Sequence, residues 1–297
     1  MSSRSKMTPL ELRASIGLSG IFGLRLLGMF VILPVFAIYA EHLPGGDNLT
    51  LVGLAIGAYG LTQALLQIPF GWWSDRYGRK PVVYIGLVIF AVGSFVAALA
   101  PNIYMVIFGR MLQGAGAISA AVIAMTADLT REDQRAKAMA MIGSTIGVAF
   151  ALSLVASPWL NSLIGVPGIF ALTGVLALGA MLVMWRVIPD APQVPPAPGR
   201  ALKDFWHVLT DPQLARLNWG IFALHAVLMA LFIVVPFGLR DAGLPVGSHW
   251  QVYLPVMLGS FVLMMPAVRI FMRAGFHPAW ALLLLVPVVG YIACAGV

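Results

Sequence analysis

Charged residues are scarce in this sequence. Only 10% of its 297 residues are Asp, Glu, Lys or Arg, while 60% are hydrophobic and the mean hydropathy is +0.93. A soluble domain carries about 25% charged residues, and a large core does not explain such a deficit. The alternating pattern of barrel strands is also missing. The sequence therefore predicts an all-α polytopic membrane protein.

Cysteine is nearly absent, and so are the motifs of enzymes. The single cysteine, Cys294, lies in an apolar run, which excludes a disulfide framework and a cysteine metal cluster. We expect it to be a small buried apolar residue. No HExxH or GxSxG motif occurs in the sequence. We therefore predict no metal site, no cofactor and no enzymatic activity.

Long apolar segments dominate what is present. A helix needs about 20 apolar residues to cross a membrane. Nine such segments lie near 16–40, 51–74, 81–99, 103–128, 137–160, 166–187, 214–239, 250–272 and 278–297. The first is too long for the apolar core of a signal peptide and lacks a cleavage site, so we expect it to be a retained span.

Basic residues give the predicted spans an orientation. Outside the spans, every Lys and Arg except Arg240 falls on the side of the N-terminus. Cytoplasmic loops of membrane proteins collect these residues, so the N-terminus is predicted to be cytoplasmic. The same rule accounts for the net charge of +7, and no nucleic-acid partner is expected.

A proline-rich segment divides the chain. Residues 189–199 contain too many prolines for a helix and predict a semi-rigid linker. Residues 201–209 resemble a short interfacial amphipathic helix. We therefore predict a six-helix N-terminal half at 1–188, a cytoplasmic linker at 189–213 and an incomplete C-terminal half at 214–297.

The two halves share a short repeat. The segments 69–81 and 266–278 both place Pro, Arg, Gly and Pro at the same spacing, after the second span of each half. This predicts a parallel repeat of two six-helix halves. The second half would then stop after three helices, and we expect a twelve-span protein that is truncated after its ninth span. A genuine nine-span protein is the alternative.

Two motifs carry a family resemblance. The first, in the loop after span two, consists of Gly71, Asp75, Arg76, Gly78, Arg79 and Lys80. The second, in span four, is the run Arg110-Met-Leu-Gln113-Gly114. Both resemble signatures of the major facilitator superfamily, and the chain is similar to its bacterial drug–proton antiporter-like members.

The resemblance implies a function and a location. It implies a monomeric transporter in the bacterial inner (plasma) membrane that moves small molecules by alternating access, with a cavity between two halves and the proton gradient as energy source. Its only partners would be the lipid bilayer and the substrate. Span five carries Ser157-Pro158 where antiporter-type members have Gly-Pro. A proton-coupled symporter and a non-transporting sensor or interaction protein therefore stay open as alternatives.

The loop after span two is expected to act as a conformational latch. Its basic residues follow the positive-inside rule, but that rule does not explain Asp75 or the glycine spacing. Arg79 could bridge to Asp128 at the end of span four. Asp75 could accept hydrogen bonds from a helix N-terminus in the other half, where the helix dipole favours an anion.

Several polar residues lie within predicted spans, where they are costly unless they face protein or water. Arg25 and Arg110, with Gln113 of the second motif, are candidates for substrate binding or proton coupling, and structural hydrogen bonds are the alternative. His225 lies mid-span and titrates near neutral pH, whereas every acidic residue lies in a loop or at a span end. His225 is therefore the leading proton-carrier candidate among these residues.

Other residues are candidates for the cavity wall. Tyr59, Gln63 and Gln67 are spaced by four and share one helix face. Phe30, Met229 and Phe232 could supply an apolar, adaptable wall suited to a hydrophobic drug-like substrate. The glycine pairs Gly53/Gly57 and Gly143/Gly147 predict close helix crossings.

Overall fold

The computed structural model describes residues 6–190, 210–256, 258–259 and 262. Within them, eight α-helices follow one another along the chain: α1 Pro9–Phe30, α2 Leu33–Ala40, α3 Leu49–Tyr77, α4 Arg79–Ala98, α5 Ile103–Ala115, α6 Ser119–Asp128, α7 Glu132–Arg186 and α8 Pro212–Asp241. A single 3-10 turn covers Val246–Ser248, and residues 250–256 are helical. No strand occurs in these described ranges, which agrees with the predicted all-α class.

Polar side chains mark where several helices begin. Thr8 and Glu11 form a reciprocal capping box at the start of α1. Asn48, Asn102 and Asp211 accept hydrogen bonds from the first backbone N–H groups of α3, α5 and α8. These caps satisfy N–H groups that have no partner within the helix, and so fix the ends of the spans.

Two predicted spans are broken helices. The first span, Pro9–Ala40, is interrupted between α1 and α2. Pro34 has no N–H to bond the carbonyl four residues back, which belongs to Phe30, and α1 ends there. The fourth span breaks between α5 and α6, around Gly116. Backbone groups freed in this way must find other partners, so the breaks lie inside the protein.

The predicted spans agree with the helices as far as the structure describes them. Six helical segments are long and apolar enough to cross a membrane. One of them, α7, contains both the fifth and the sixth predicted spans, which meet at Gly165 with a φ of 65°. The ninth span, most of the eighth span, residues 191–199 of the proline-rich linker, the amphipathic helix and the second copy of the repeat lie outside the described residues.

The helices pack into a bundle with two distinct ends. α1 packs along α7, α3 along α5, and α4 between α5 and α7. One end, which we call the Gly78 end, brings together Lys6, Gly78 and Arg131. At the opposite Glu41 end, α2 lies against α8. Large apolar side chains such as Leu65, Leu163 and Trp185 remain exposed around the bundle, as expected where a protein meets lipid.

The close helix crossing is not where the glycine pairs predicted it. A β-carbon on Gly57, Gly143 or Gly147 would meet no atom within 4 Å in the described part of the chain. The tight crossings join α5 to α3, where a β-carbon on Gly114 would lie 2.2 Å from the Tyr59 carbonyl oxygen, and α5 to α4. A β-carbon on Gly93 would lie 2.5 Å from the amide nitrogen of Gln113, and one on Gly109 would lie 2.7 Å from that of Ala97. Two glycines on different helices, rather than a spaced pair on one helix, allow this approach.

Candidate functional site

Gly78 makes the charged loop a sharp turn. It ends α3 and precedes α4 with a φ of 96° and a ψ of 152°, a conformation that residues with a β-carbon rarely adopt. Only this one residue separates the two helices. The turn therefore places Arg79, the first residue of α4, beside the last turn of α3.

Arg79 joins three helices at the Gly78 end. Its guanidinium donates from Nε to Asp128 Oδ2 at 2.9 Å and from Nη1 to Ser74 Oγ at 2.9 Å. It also pairs with Asp75. The expected contact between Arg79 and Asp128 is thus present. Asp75 pairs within its own loop here, and its predicted partner in the other half lies beyond the described residues.

The remaining residues of the charged loop surround this centre. Arg76 is exposed and lies over the ring of Trp72, 5.5 Å from its centroid. Lys80 Nζ pairs with Asp190 Oδ1 at 2.8 Å. Gly71 faces Ala120 of α6, where a β-carbon would lie at an ordinary contact distance of 3.6 Å. The loop is therefore held mainly through Arg79.

A second ion pair at the Gly78 end was not predicted from the sequence. Glu11 is 5% exposed, and its Oε1 accepts from both the backbone N and the Nε of Arg131, at 3.0 and 2.9 Å. These hydrogen bonds raise the pKa of Arg131 above its ordinary value. The pair fastens the start of α1 to the loop between α6 and α7.

Two buried arginines meet in the middle of the bundle. Arg25 of α1 is 3% exposed and donates to Ser119 Oγ at 3.0 Å and to Gln63 Oε1 at 3.1 Å. Arg110 of α5 is 2% exposed and donates to Gln113 Oε1 at 2.9 Å. The sequence marked both arginines as candidates but did not indicate that they are neighbours.

Tyr59 lies between the two arginines. The Arg110 guanidinium lies 4.7 Å from the centroid of its ring, and that of Arg25 lies 5.7 Å away. A cation over a ring face is attracted by the ring quadrupole. We call Arg25, Tyr59, Gln63, Arg110 and Gln113 the two-arginine cluster. The residues of this cluster come from the first, second and fourth predicted spans. The third span also takes part, because Gln113 donates a hydrogen bond to Ser94 of α4 at 2.8 Å.

The two-arginine cluster has an unusual charge balance. In the described ranges, no Asp or Glu side chain bonds to either guanidinium, and the partners are the neutral oxygens of Gln63, Gln113 and Ser119. Arg25 Nε and the Tyr59 hydroxyl are buried without a hydrogen-bond partner in this part of the chain. Buried polar groups of this kind normally have partners.

The predicted apolar wall is assembled by an additional aromatic residue. Phe150 of α7 packs edge-on against Phe30, with ring centroids 5.1 Å apart, and against Phe232 of α8, with centroids 6.1 Å apart. Met229 is partly buried in the same cluster. The three predicted wall residues are therefore brought together, and Phe150, which the sequence did not single out, connects the two groups of spans.

Gln67 and His225 lie apart from the arginines. Gln67 continues the face of Tyr59 and Gln63 towards the Gly78 end and is half-buried, and its Oε1 has no partner among the described residues. His225, predicted to be buried, is exposed on α8, and its Nδ1 lies 2.9 Å from the Ile221 carbonyl oxygen. The reason is that α8 packs against the described helices only near its far end, chiefly on α2.

The Glu41 end carries a contact between the two groups of spans. Arg240, the basic residue that breaks the positive-inside pattern, donates from Nη1 to Glu41 Oε2 at 2.5 Å. The two residues are separated by 199 positions in the chain. Nearby, His249 is fully buried, and this burial lowers its pKa and favours the neutral ring.

Comparison with known proteins identifies the family. Residues 18–297 match the family model of the Major Facilitator Superfamily. The chain therefore belongs to this family, as its two sequence motifs predicted.

Particular relatives can also be named. The chain is 47% identical over 263 residues to the inner membrane transport protein YajR of Escherichia coli, covering 88% of this chain and 58% of that protein. It is 27% identical over 222 residues to the quinolone resistance protein NorA of Staphylococcus aureus, covering 72% of this chain and 52% of NorA. The chain thus spans little more than half the length of these relatives.

A solved structure shares the arrangement of helices. It is a bacterial homolog of the human lysosomal transporter Spinster in an inward-facing and occupied conformation, with a TM-score of 0.75 and 17% sequence identity. The match covers 92% of this chain and 63% of that one. This likeness confirms the fold class.

Proposed function

We propose that this protein is a proton-coupled efflux transporter that moves small molecules across a bacterial inner membrane by alternating access. The observation that carries the proposal is the uneven contact between α8 and the first six spans. They are joined at the Glu41 end by Arg240 and Glu41, and α8 contacts the described helices of the first six spans chiefly through α2, which lies at that end. Alternating access requires two groups of helices that close at one end and open at the other.

Orientation follows from the basic residues. With the Gly78 end in the cytoplasm, the loops with Arg79, Lys80 and Arg131 obey the positive-inside rule. The N-terminus is then cytoplasmic, and the arrangement corresponds to an inward-open state. The similarity to YajR supports an inner-membrane location, and the similarity to NorA supports efflux of drug-like molecules.

The charged loop is the proposed latch of the outward-open state. Its centre is already assembled, because Gly78 and the bonds of Arg79 fix the loop to α4 and α6. Asp75 is half-exposed on this surface and can accept hydrogen bonds from the other half when the Gly78 end closes. Several charge-assisted bonds of about 1.5–3 kcal/mol each are enough to bias a two-state equilibrium.

Proton movement tests the proposal directly. The natural full-length protein is reconstituted into vesicles, and the uptake of a fluorescent quinolone, a drug class that carries a carboxylate, is followed while a pH gradient is imposed. We expect uptake in exchange for protons, collapse of uptake with an uncoupler, and loss of uptake in Asp75→Lys with normal membrane insertion. Glu132→Lys, on an exposed carboxylate at the same end of the bundle, is the matched control and should retain uptake.

The alternatives give different results in the same assay. Protons and drug moving in the same direction would indicate a symporter. No flux of any tested drug or ion would favour a sensor or interaction protein. Full proton coupling in His225→Gln would remove this histidine from the mechanism. We expect no enzymatic turnover.

A further inference from the structure

We propose that the two-arginine cluster binds the anionic headgroup, carboxylate or phosphate, of an organic substrate. This inference rests on the proposed transport function and deepens it, because it names the charge class of the transported molecule. It predicts that the protein prefers amphiphilic organic anions to neutral or cationic compounds of the same shape.

The charge balance of the cluster is the first argument. Two guanidiniums lie on one tyrosine ring, at 4.7 and 5.7 Å from its centroid, and both are almost completely buried. Two like charges buried against the same ring repel each other in a medium of low dielectric constant, and the hydrogen bonds to neutral amides and hydroxyls do not cancel the charge. In the described chain no carboxylate supplies the missing counter-charge, so a bound anion would.

The unpartnered donors are the second argument. Arg25 Nε and the Tyr59 hydroxyl are both buried, and both can donate a hydrogen bond for which the described residues offer no acceptor. A planar guanidinium matches the spacing of two oxygens on a carboxylate or phosphate. The cluster therefore presents directed N–H and O–H donors together with positive charge, which is the chemistry that recognises an anion.

The surroundings indicate the rest of the ligand. Phe30 lies beyond Arg25 on the same helix and begins the aromatic chain through Phe150 to Phe232. An apolar body can lie against these rings while its charged end reaches the arginines. On the other side, the half-buried Gln63 and Gln67 mark a polar approach from the Gly78 end.

Calorimetry with small probes tests the charge preference. The natural full-length protein in detergent is titrated with benzoate, phenyl phosphate, benzamide and benzylammonium. We expect benzoate or phenyl phosphate to bind at least about tenfold more tightly than the neutral amide and the cation, since a charge-assisted hydrogen bond is worth about one order of magnitude in affinity. Comparison of benzoate with phenyl phosphate distinguishes the two headgroups.

Two variants locate the binding. Tyr59→Phe keeps the ring under both arginines and removes only a hydroxyl without a partner, so we expect an unchanged melting temperature and about tenfold weaker anion binding. Arg110→Lys keeps the charge but loses the planar fork and should also weaken binding. The matched control is Arg135→Lys, an exposed arginine at the Gly78 end, which should bind the anion as the wild type does.

The inference is overturned if benzylammonium or benzamide binds as tightly as the anions, or if Tyr59→Phe and Arg110→Lys leave anion binding unchanged. These outcomes are separate from failure of the proposed function. Anion binding without flux in vesicles would contradict transport and retain the site. Drug flux that is inhibited by cations but not by benzoate would retain transport and overturn the site.

Discussion

At the scale of single residues, Gly78 is a position where backbone geometry requires glycine. Its φ of 96° and ψ of 152° join α3 to α4 without an intervening loop. Everything that Arg79 contacts depends on this turn. The glycine that the family motif contains is thus explained by a physical requirement and not only by resemblance.

Replacing Gly78 with alanine should therefore destabilise the protein. A β-carbon in this backbone conformation costs about 1–3 kcal/mol, and relief of the strain would displace Arg79 from Asp128. The measurement is the free energy of unfolding in detergent. Gly143→Ala is the control, because its β-carbon would meet nothing in the described chain and its φ is not positive. It should be neutral or stabilising by up to about 1 kcal/mol, and equal effects of the two variants would contradict the argument.

Residue contacts could be predicted from sequence only where two opposite charges were expected at the same end of neighbouring spans. The contact of Arg79 with Asp128 was expected from the loop motif and is present. The meeting of Arg25 and Arg110 at Tyr59 was not expected, because depth along a span indicates where a residue lies but not which way its helix faces. Ser74, Ser94 and Ser119 gave no signal at all, since short hydroxyl side chains are common in spans and usually bond their own helix.

At the scale of helices, ion pairs at the Gly78 end connect helices that are not joined directly by a loop. Arg79 ties the start of α4 to the end of α6, with 17% and 20% of the two side chains exposed. Lys80 pairs nearby with Asp190, whose side chain is 90% exposed. Because exposed ion pairs are screened by water, we expect the pair of Arg79 with Asp128 to contribute more to the free energy of unfolding than the pair of Lys80 with Asp190.

A double-mutant cycle measures this difference. For Arg79→Gln and Asp128→Asn we expect a coupling energy of about 1 kcal/mol in the free energy of unfolding, because partial burial limits screening by water. The matched cycle with Lys80→Gln and Asp190→Asn should give a value near zero. Additive effects for the first pair, or equal coupling in both cycles, would show that Arg79 does not bridge the helices in solution.

Helix existence was predictable, but helix continuity was not. Hydropathy located the first seven spans, because lipid requires about 20 apolar residues with every backbone group bonded. It did not show the break before Pro34 or the break around Gly116, since a proline or glycine within a span can bend, interrupt or leave a helix intact, depending on its neighbours. The prediction of close helix crossings at the glycine pairs was wrong for the same reason, because a close crossing also depends on which residues of the neighbouring helix lie opposite the glycines.

At the scale of the whole molecule, the ion pair of Arg240 with Glu41 joins the two groups of helices. Arg240 and Glu41 lie at the Glu41 end, where α8 meets α2. Arg240 stood out in the sequence as the exception to the positive-inside pattern, but sequence could not supply a partner 199 residues away. If the halves rock, this contact must form when the Glu41 end closes and break when it opens.

Removing either charge should favour opening of the Glu41 end. Spin labels on cysteines at Asp47 and Ala242, with Cys294 replaced by serine, report the distance across this end by electron paramagnetic resonance. Glu41→Gln and Arg240→Gln should each increase the population with the longer distance, because the closed state loses a charge-assisted hydrogen bond. The exchanged pair, Glu41→Arg with Arg240→Glu, should restore the shorter distance. An unchanged distribution in all variants would mean that the pair does not influence closure.

The crossing of α4 and α5 has a consequence for how such a movement could occur. Gly93 and Gly109 bring the two backbones together so closely that neither helix can slide or turn past the other without a clash. Arg110 follows Gly109 in the chain, and Ser94 follows Gly93. The contact between the two backbones therefore fixes the positions of Arg110 and Ser94 relative to each other. Tyr59 of α3 is restrained in the same way, because a β-carbon on Gly114 of α5 would lie 2.2 Å from the Tyr59 carbonyl oxygen. Arg25 comes from α1, and β-carbons on the glycines of α1 would meet only side chains. Any change in the width of the cluster during a transport cycle would therefore have to come from α1 moving against the closely packed helices α3, α4 and α5.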